Sequence, residues 1–189
     1  PFISADAGKM PAHQAVYEKL RLMILFGDLA PGQAVTIQGL TAQLDAGMTP
    51  VREALRRLTA EAALTHQGNR RVSVPVLTPD CVDELGFMRK SLEPELARRA
   101  AGRMTPERID ALTQNYRFHA LLYEAAQAPI LAATVDRLWL RFGPSLRVVC
   151  GRFGTSNLPD KHMDLLHALE TGDVDSAARA TAEDVEQGM

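Results

Sequence analysis

The sequence predicts a mainly α-helical protein: an N-terminal winged helix-turn-helix domain followed by an all-helical bundle. Three observations carry this expectation. Residues 11–76 read as three helices and then a short β-prone pair. From residue 80 onward the apolar residues recur at helical spacing. Aromatic residues make up only 5% of the 189-residue chain while Ala and Leu are abundant, which favours helix over sheet.

The first helix is expected over residues 11–26, where Ala15, Leu20, Ile24 and Leu25 sit near helical spacing and Gly27 supplies a C-terminal stop. The stretch GDLAPGQAV, punctuated by Pro31-Gly32, is a turn. Thr36 caps a short second helix through Ile37, Leu40 and Leu44, and residues 45–47 break it. Thr49 is expected to cap a third helix with Pro50 at its first position, where a missing N–H costs nothing. Val51, Ala54, Leu55 and Leu58 form the buried stripe of that helix. Leu64–Gln67 and Val72–Val76, separated by Gly68-Asn69, read as a hairpin. The proline-bearing stretch VPVLTPD is a linker ending at an Asp80 cap, so the domains are expected at 1–76 and 77–189. Helices follow at about 80–103, 105–127, 129–151, 159–171 and 173–187. Thr105-Pro106 and Gly172-Asp173 mark helix starts, and Gly143-Pro144 should kink or break the third of them.

Bulk properties narrow the function classes. With 46% hydrophobic residues the chain can build a core. No apolar run is long enough to span a bilayer, and PFISADAGKM lacks the pattern of a signal peptide. Cys81 and Cys150 fit no CxxC pattern and read as reduced thiols of a cytoplasmic protein. The net charge of -2 hides an asymmetry: residues 1–76 carry eight basic and six acidic side chains, residues 77–189 thirteen and seventeen. A weakly basic front and an acidic back suit two modules with different partners, although ordinary surface variation produces the same difference.

The third helix concentrates the basic residues. Arg52 and Arg56 are four apart, with Arg57 beside them, and all lie off the apolar stripe. A helix in the major groove reads bases with its N-terminal turns and holds phosphates with flanking cations. Thr49 would add a hydroxyl and free backbone N–H groups as a phosphate site. Arg70 and Arg71 at the hairpin tip would reach the neighbouring backbone or minor groove. A solvated helix laced with Arg–Glu pairs is the plainer alternative.

VYEKLRLMILFGDLAPGQAV, followed by LTAQLDAGMTPVREALRRLTAEAAL, resembles the DNA-binding domain of the GntR family of bacterial transcription regulators. TPVREALRRL is its most specific stretch. The remainder, including MRKSLEPELARRAA, FHALLYEAA and HMDLLHALETGDVDSAA, resembles the FCD effector-binding domain of the FadR-like subgroup. The resemblance implies a homodimer on double-stranded operator DNA. It makes Arg52 the main base-reading arginine, Thr49 a phosphate or base contact and Gly68 the wing-tip glycine; Arg56 and Arg70 remain contacts on the reading of the residues themselves. Three positions depart from the family pattern. Gly47 stands where Ser or Thr is usual, Met48 where Arg is usual, and Gln38 where an Arg is common. Fewer cations should lower affinity and its salt dependence.

The resemblance also implies a metal-binding set at Asn115, His119, His162 and Asp184. Asn115 and His119 are four apart and share a helix face. The usual family set is one Asp and three His; here the first position is Asn and the last is Asp, so the carboxylate has moved. Two imidazoles and a carboxylate suit a divalent ion, zinc or nickel first, manganese or iron next. His167 faces partly away, and His13 and His66 read as surface residues. The implied effector is a small organic acid whose carboxylate meets the metal. Arg89 matches an arginine that lines that cavity, able to hold a carboxylate in bidentate fashion; alternatively it pairs with Glu93 at i,i+4 on a helix surface. Between Leu112 and Asn115 the family has nearly another helix of sequence. Either the protein carries a deletion or a stretch is absent from the chain as given; the second is preferred, with a helix break at 112–114.

These expectations favour a ligand-responsive regulator over two other classes. A metalloenzyme on His119, His162 and Asp184 would need a general base at the open metal position, and no motif such as HExxH supplies one. A metal- or metabolite-binding protein that has lost specific DNA binding is motivated by Gln38, Gly47 and Met48.

Overall fold

The protein is described here from a computed structural model covering residues 10–67, 71–110, 115–153 and 161–189. The expected wing-tip residues Gly68 and Arg70 and the expected break at 112–114 lie outside the described residues.

The described residues of the N-terminal region form a winged helix of three helices and three strands. Its elements are α1 (Ala12–Leu25), β1 (Ala34–Val35), α2 (Ile37–Leu44), α3 (Met48–Ala60), β2 (Thr65–Gln67) and β3 (Arg71–Ser73). The strands form one antiparallel sheet in the order β1-β3-β2, with Val72 opposite both Val35 and His66. The sequence pattern does not show β1, because two residues are too short to display a period of two. Helix α1 stops at Phe26, and Gly27 adopts φ 76°, as its place after the last apolar residue requires. Thr36 caps α2, its Oγ1 accepting the Gly39 N–H at 3.1 Å. Asp45 ends α2 in the left-handed region, which short polar side chains tolerate.

The expected cap of α3 is corrected. The helix begins at Met48 with Gly47 as its cap, and the Gly47 carbonyl accepts the Val51 N–H at 3.3 Å. Thr49 and Pro50 are therefore its second and third residues. Proline still fits, because the first helical N–H groups have no intrahelical acceptor. The apolar stripe Val51, Ala54, Leu55 and Leu58 is buried as expected. It packs against α1, whose buried face is Val16, Tyr17, Leu20, Ile24 and Leu25, with Ala15 half-buried. Each fully buried large aliphatic residue contributes about 1.5–3 kcal/mol.

Among the described residues six helices follow: α4 (Pro79–Ala101), α5 (Pro106–Asp110), α6 (Asn115–Ala125), α7 (Pro129–Phe153), α8 (Lys161–Thr171) and α9 (Val174–Gln187). Asp80 lies in the first turn of α4 rather than at its cap, where its charge suits the helix dipole, and Pro79 opens the helix. The span expected as one helix over 105–127 contains α5 and α6. Thr105 precedes α5, its carbonyl accepting the N–H groups of Arg108 and Ile109. Gly143-Pro144 does not break α7. Phe142, Gly143 and Pro144 are all buried, and the position of a Cβ on Gly143 would lie 3.3 Å from the Leu25 carbonyl oxygen. Packing at this depth outweighs the ~3 kcal/mol penalty of an interior proline.

The chain forms two compact units. One runs up to Pro79 and takes in α7 from Arg137 on; the other contains α4 to α6, the start of α7, α8 and α9. Division at residues 76 and 77 remains a proposal about domains.

Candidate nucleic-acid interface and metal centre

Helix α3 turns Arg52, Glu53, Arg56 and Arg57 to the side opposite its buried stripe, and all four are exposed. Their roles differ. Arg57 is fixed to its own unit: its guanidinium lies 3.6 Å over the Tyr17 ring and donates to Gln14 Oε1 at 2.9 Å and Glu61 Oε1 at 3.2 Å. The Tyr17 hydroxyl donates to Glu61 Oε2 at 2.7 Å, closing a network between α1 and the end of α3. Arg56 donates to Glu53 Oε1 at 2.6 Å on the exposed surface. Among the described residues Arg52 has no hydrogen-bond or ion-pair partner. It is the cation of α3 that a new partner can engage without breaking an existing contact.

Gln38 on α2 and Thr49 on α3 are both exposed. The N–H groups of Met48 and Thr49 open a 13-residue helix with no side-chain cap. Arg52, Arg56 and His66 line a groove of about 660 Å³ between α3 and the sheet, over Val35, Ile37 and Leu55. His66 is exposed, as its sequence context suggests, but its place in this groove is not evident from the sequence. The pairing of His66 with Val72 on the neighbouring strand sets its place, and the sequence carries no local signal for it.

In the helical unit, α6, α8 and α9 bring His119, His162 and Asp184 together. The two His Nε2 atoms are 3.5 Å apart, and they lie 3.5 Å and 3.7 Å from the two carboxylate oxygens of Asp184. One ligand atom from each residue lies within 4.8 Å of those of the other two. Ligand atoms about 2.1 Å from one ion in tetrahedral array stand about 3.4 Å from each other. The three side chains therefore fit a divalent cation at their centre. Asn115 opens α6 one turn before His119; its side chain lies outside the described residues.

His119 is 3% exposed, and burial, with the charges of His162 and Arg89, holds its pKa well below 6.5. A neutral imidazole is the form that ligates metal. Its other nitrogen, Nδ1, lies 3.3 Å from the Tyr123 hydroxyl, which donates to Glu93 Oε2 at 2.6 Å. Glu93 in turn accepts from Arg89 Nε at 2.6 Å. Arg89 does pair with Glu93, but in the interior rather than on a helix surface: the two are 2% and 0% exposed. The Arg89 Nη1 faces the Met189 thioether at 3.9 Å. Tyr123 and Glu93 are absent from the sequence-based site. Tyr123 continues the four-residue spacing of Asn115 and His119, which is its only sequence signal.

Comparison with known proteins matches the chain in two parts. The model of bacterial regulatory proteins of the gntR family matches residues 12–74, and that of the FCD domain matches residues 112–187. The HTH-type transcriptional regulator McbR of Escherichia coli K12 is 27% identical over 198 residues, covering 92% of this chain and 89% of the relative. The HTH-type transcriptional repressor RspR of the same organism is 24% identical over 201 residues, covering 94% and 87%. The solved structure of E. coli McbR/YncC matches with a TM-score of 0.85 at 27% identity, over 94% of this chain and 95% of that one. The chain belongs to the GntR family of bacterial regulatory proteins and is a transcriptional regulator that joins a gntR DNA-binding domain to an FCD domain.

Proposed function

We propose that this regulator binds double-stranded operator DNA as a homodimer in the cytoplasm and senses a small organic acid at a divalent cation in its helical unit. The convergence of His119, His162 and Asp184 carries the reading. These side chains supply two neutral donors and one negative charge. A divalent cation among them would keep a net positive charge, which suits a small carboxylate. Asn115 would add a carbonyl oxygen as a fourth, weaker ligand, or a water would take that place. Zinc or nickel suits the set best, with manganese or iron next. The effector's carboxylate would compete with the Met189 thioether for the Nη1 edge of Arg89.

At the DNA, Arg52 would read a base edge in the major groove. Arg56 would exchange Glu53 for a phosphate, and Thr49 would offer its hydroxyl and backbone N–H to another. Gln38 would add an uncharged contact, with Gly68 and Arg70 at the wing tip. Effector binding would shift the relative placement of the two DNA-binding domains of the dimer, and so the half-site spacing it fits.

Selection of genomic fragments by the purified protein, with and without added zinc or nickel and at low and moderate salt, tests the reading. A shared pseudo-palindrome is the expected result. Retention that is salt-sensitive but blind to sequence would instead support a metal- or metabolite-binding protein that has lost operator reading, which the uncharged residues Gln38, Gly47 and Met48 favour.

A further inference from the structure

We propose that Tyr123 is the positioning residue of the metal centre: anchored by the buried Glu93–Arg89 pair, it fixes the His119 tautomer so that the Nε2 lone pair faces the cation. The proposal rests on the metal-binding reading above. Its own content is a statement about protons in the metal-free protein.

The hydrogen bonds around Tyr123 favour one assignment. Tyr123 has a single hydroxyl proton. Glu93, salt-bridged to Arg89 at 2.6 Å, offers a carboxylate oxygen 2.6 Å from that hydroxyl, and a charge-assisted bond of this length takes the proton. The Tyr123 oxygen then presents only lone pairs to His119 Nδ1 at 3.3 Å, and the contact is a hydrogen bond only when Nδ1 carries the proton. Nε2 is left as an acceptor. It points at His162 Nε2 and an Asp184 oxygen, each 3.5 Å away. A cation satisfies all three atoms at once. All four members of the chain from Arg89 to His119 are buried, so water does not compete for these bonds. A partner on the far nitrogen of a ligating histidine fixes ring orientation and raises ligand basicity.

The test uses the full-length protein with 15N-labelled histidine, stripped of metal, at neutral pH. His119 is expected to carry its proton on Nδ1 in the unsubstituted protein. Tyr123→Phe, which removes one oxygen and keeps the ring, is expected to shift the population toward the Nε2–H form. Zinc titration against a competing chelator should then show affinity lower by about 10–100-fold, while a His162→Ala control loses binding outright. A proton found on Nε2 in the unsubstituted protein overturns the proposal without recourse to any variant. So does Tyr123→Phe with unchanged tautomer and unchanged zinc affinity. If the unsubstituted protein binds no metal ion, the metal-binding reading fails, and the tautomer measurement still decides the role of Tyr123.

Discussion

His119 Nε2 and His162 Nε2, 43 residues apart in the chain, face each other at 3.5 Å. Two ring nitrogens this close, with an Asp184 oxygen equally near, gain from a shared cation. Zinc or nickel should therefore stabilise the native protein. At a free concentration about a hundred times Kd the gain is about 2.7 kcal/mol, read as a rise in Tm that a chelator reverses. His162→Ala should abolish the rise. A Tm indifferent to both metals would remove the basis for a cation at this site.

Arg52 and Arg56 share the exposed face of α3 but should behave differently on DNA. Arg52→Ala removes a side chain that no described residue holds, so the fold should be unaffected and the loss confined to the interface. Discrimination between operator and unrelated DNA should fall by about 1–3 kcal/mol if one bidentate base contact disappears. Arg56→Ala should weaken all sequences alike and reduce the salt slope by about one unit. Binding measured on both DNAs at several salt concentrations separates the two. Equal discrimination before and after Arg52→Ala would remove it from base reading.

The parts of this fold that were legible in the sequence are those whose cause is local. Thr36 as a cap, Gly27 as a stop and the Gly172-Asp173 junction each follow from one residue's own chemistry, and each stands where its pattern places it. Gly47 displaces Thr49 as the α3 cap because two nearby residues could both begin the helix, and only the backbone bond from Val51 decides. Pro144 stays inside α7 because tertiary packing overrides its local preference. The ligand trio follows from family resemblance. The Arg89–Glu93–Tyr123 chain behind it does not, since an i,i+4 ion pair looks alike in sequence whether exposed or buried. Its burial depends on helices far apart in the chain.

Tyr17 ties the stability of the DNA-binding unit to alkaline pH. Burial, then the bond to Glu61, raises its pKa well above 10. The folded protein holds this proton where the unfolded chain releases it. The contribution is therefore complete below pH 10 and is lost as pH rises from there toward the folded-state value. Tyr17→Phe should flatten the fall of stability above pH 10, and should loosen Arg57, which stacks on the ring and shares Glu61. Urea unfolding at pH 8 and pH 10.5 checks the sign. Identical pH slopes for the two proteins would show that the phenol does not couple to folding.

The turn between α8 and α9 sets how His162 meets Asp184, and its conformation depends on Gly172. This residue adopts φ 68°, while a Cβ there would meet nothing within 4 Å, so any penalty for a side chain comes from the backbone alone. Asp173 follows at once as the α9 cap, accepting the Ser176 N–H at 3.0 Å, and its own N–H returns to the Ala168 carbonyl at 2.9 Å. A residue that resists the left-handed region must either accept the strain or open this turn. Gly172→Ala should cost about 1 kcal/mol, although the substitution fills empty space and removes a flexible residue. Opening the turn would change the placement of α9 on α8, and with it the 3.7 Å separation of His162 Nε2 from Asp184. Zinc affinity should therefore fall together with stability. Gly102 provides the contrast: a Cβ there also meets nothing within 4 Å, but φ is not positive. Gly102→Ala should be neutral or stabilising by about 0.4–1 kcal/mol through the unfolded chain, with zinc affinity unchanged. Parallel behaviour of the two variants would show that the left-handed turn does not govern the geometry of the metal centre.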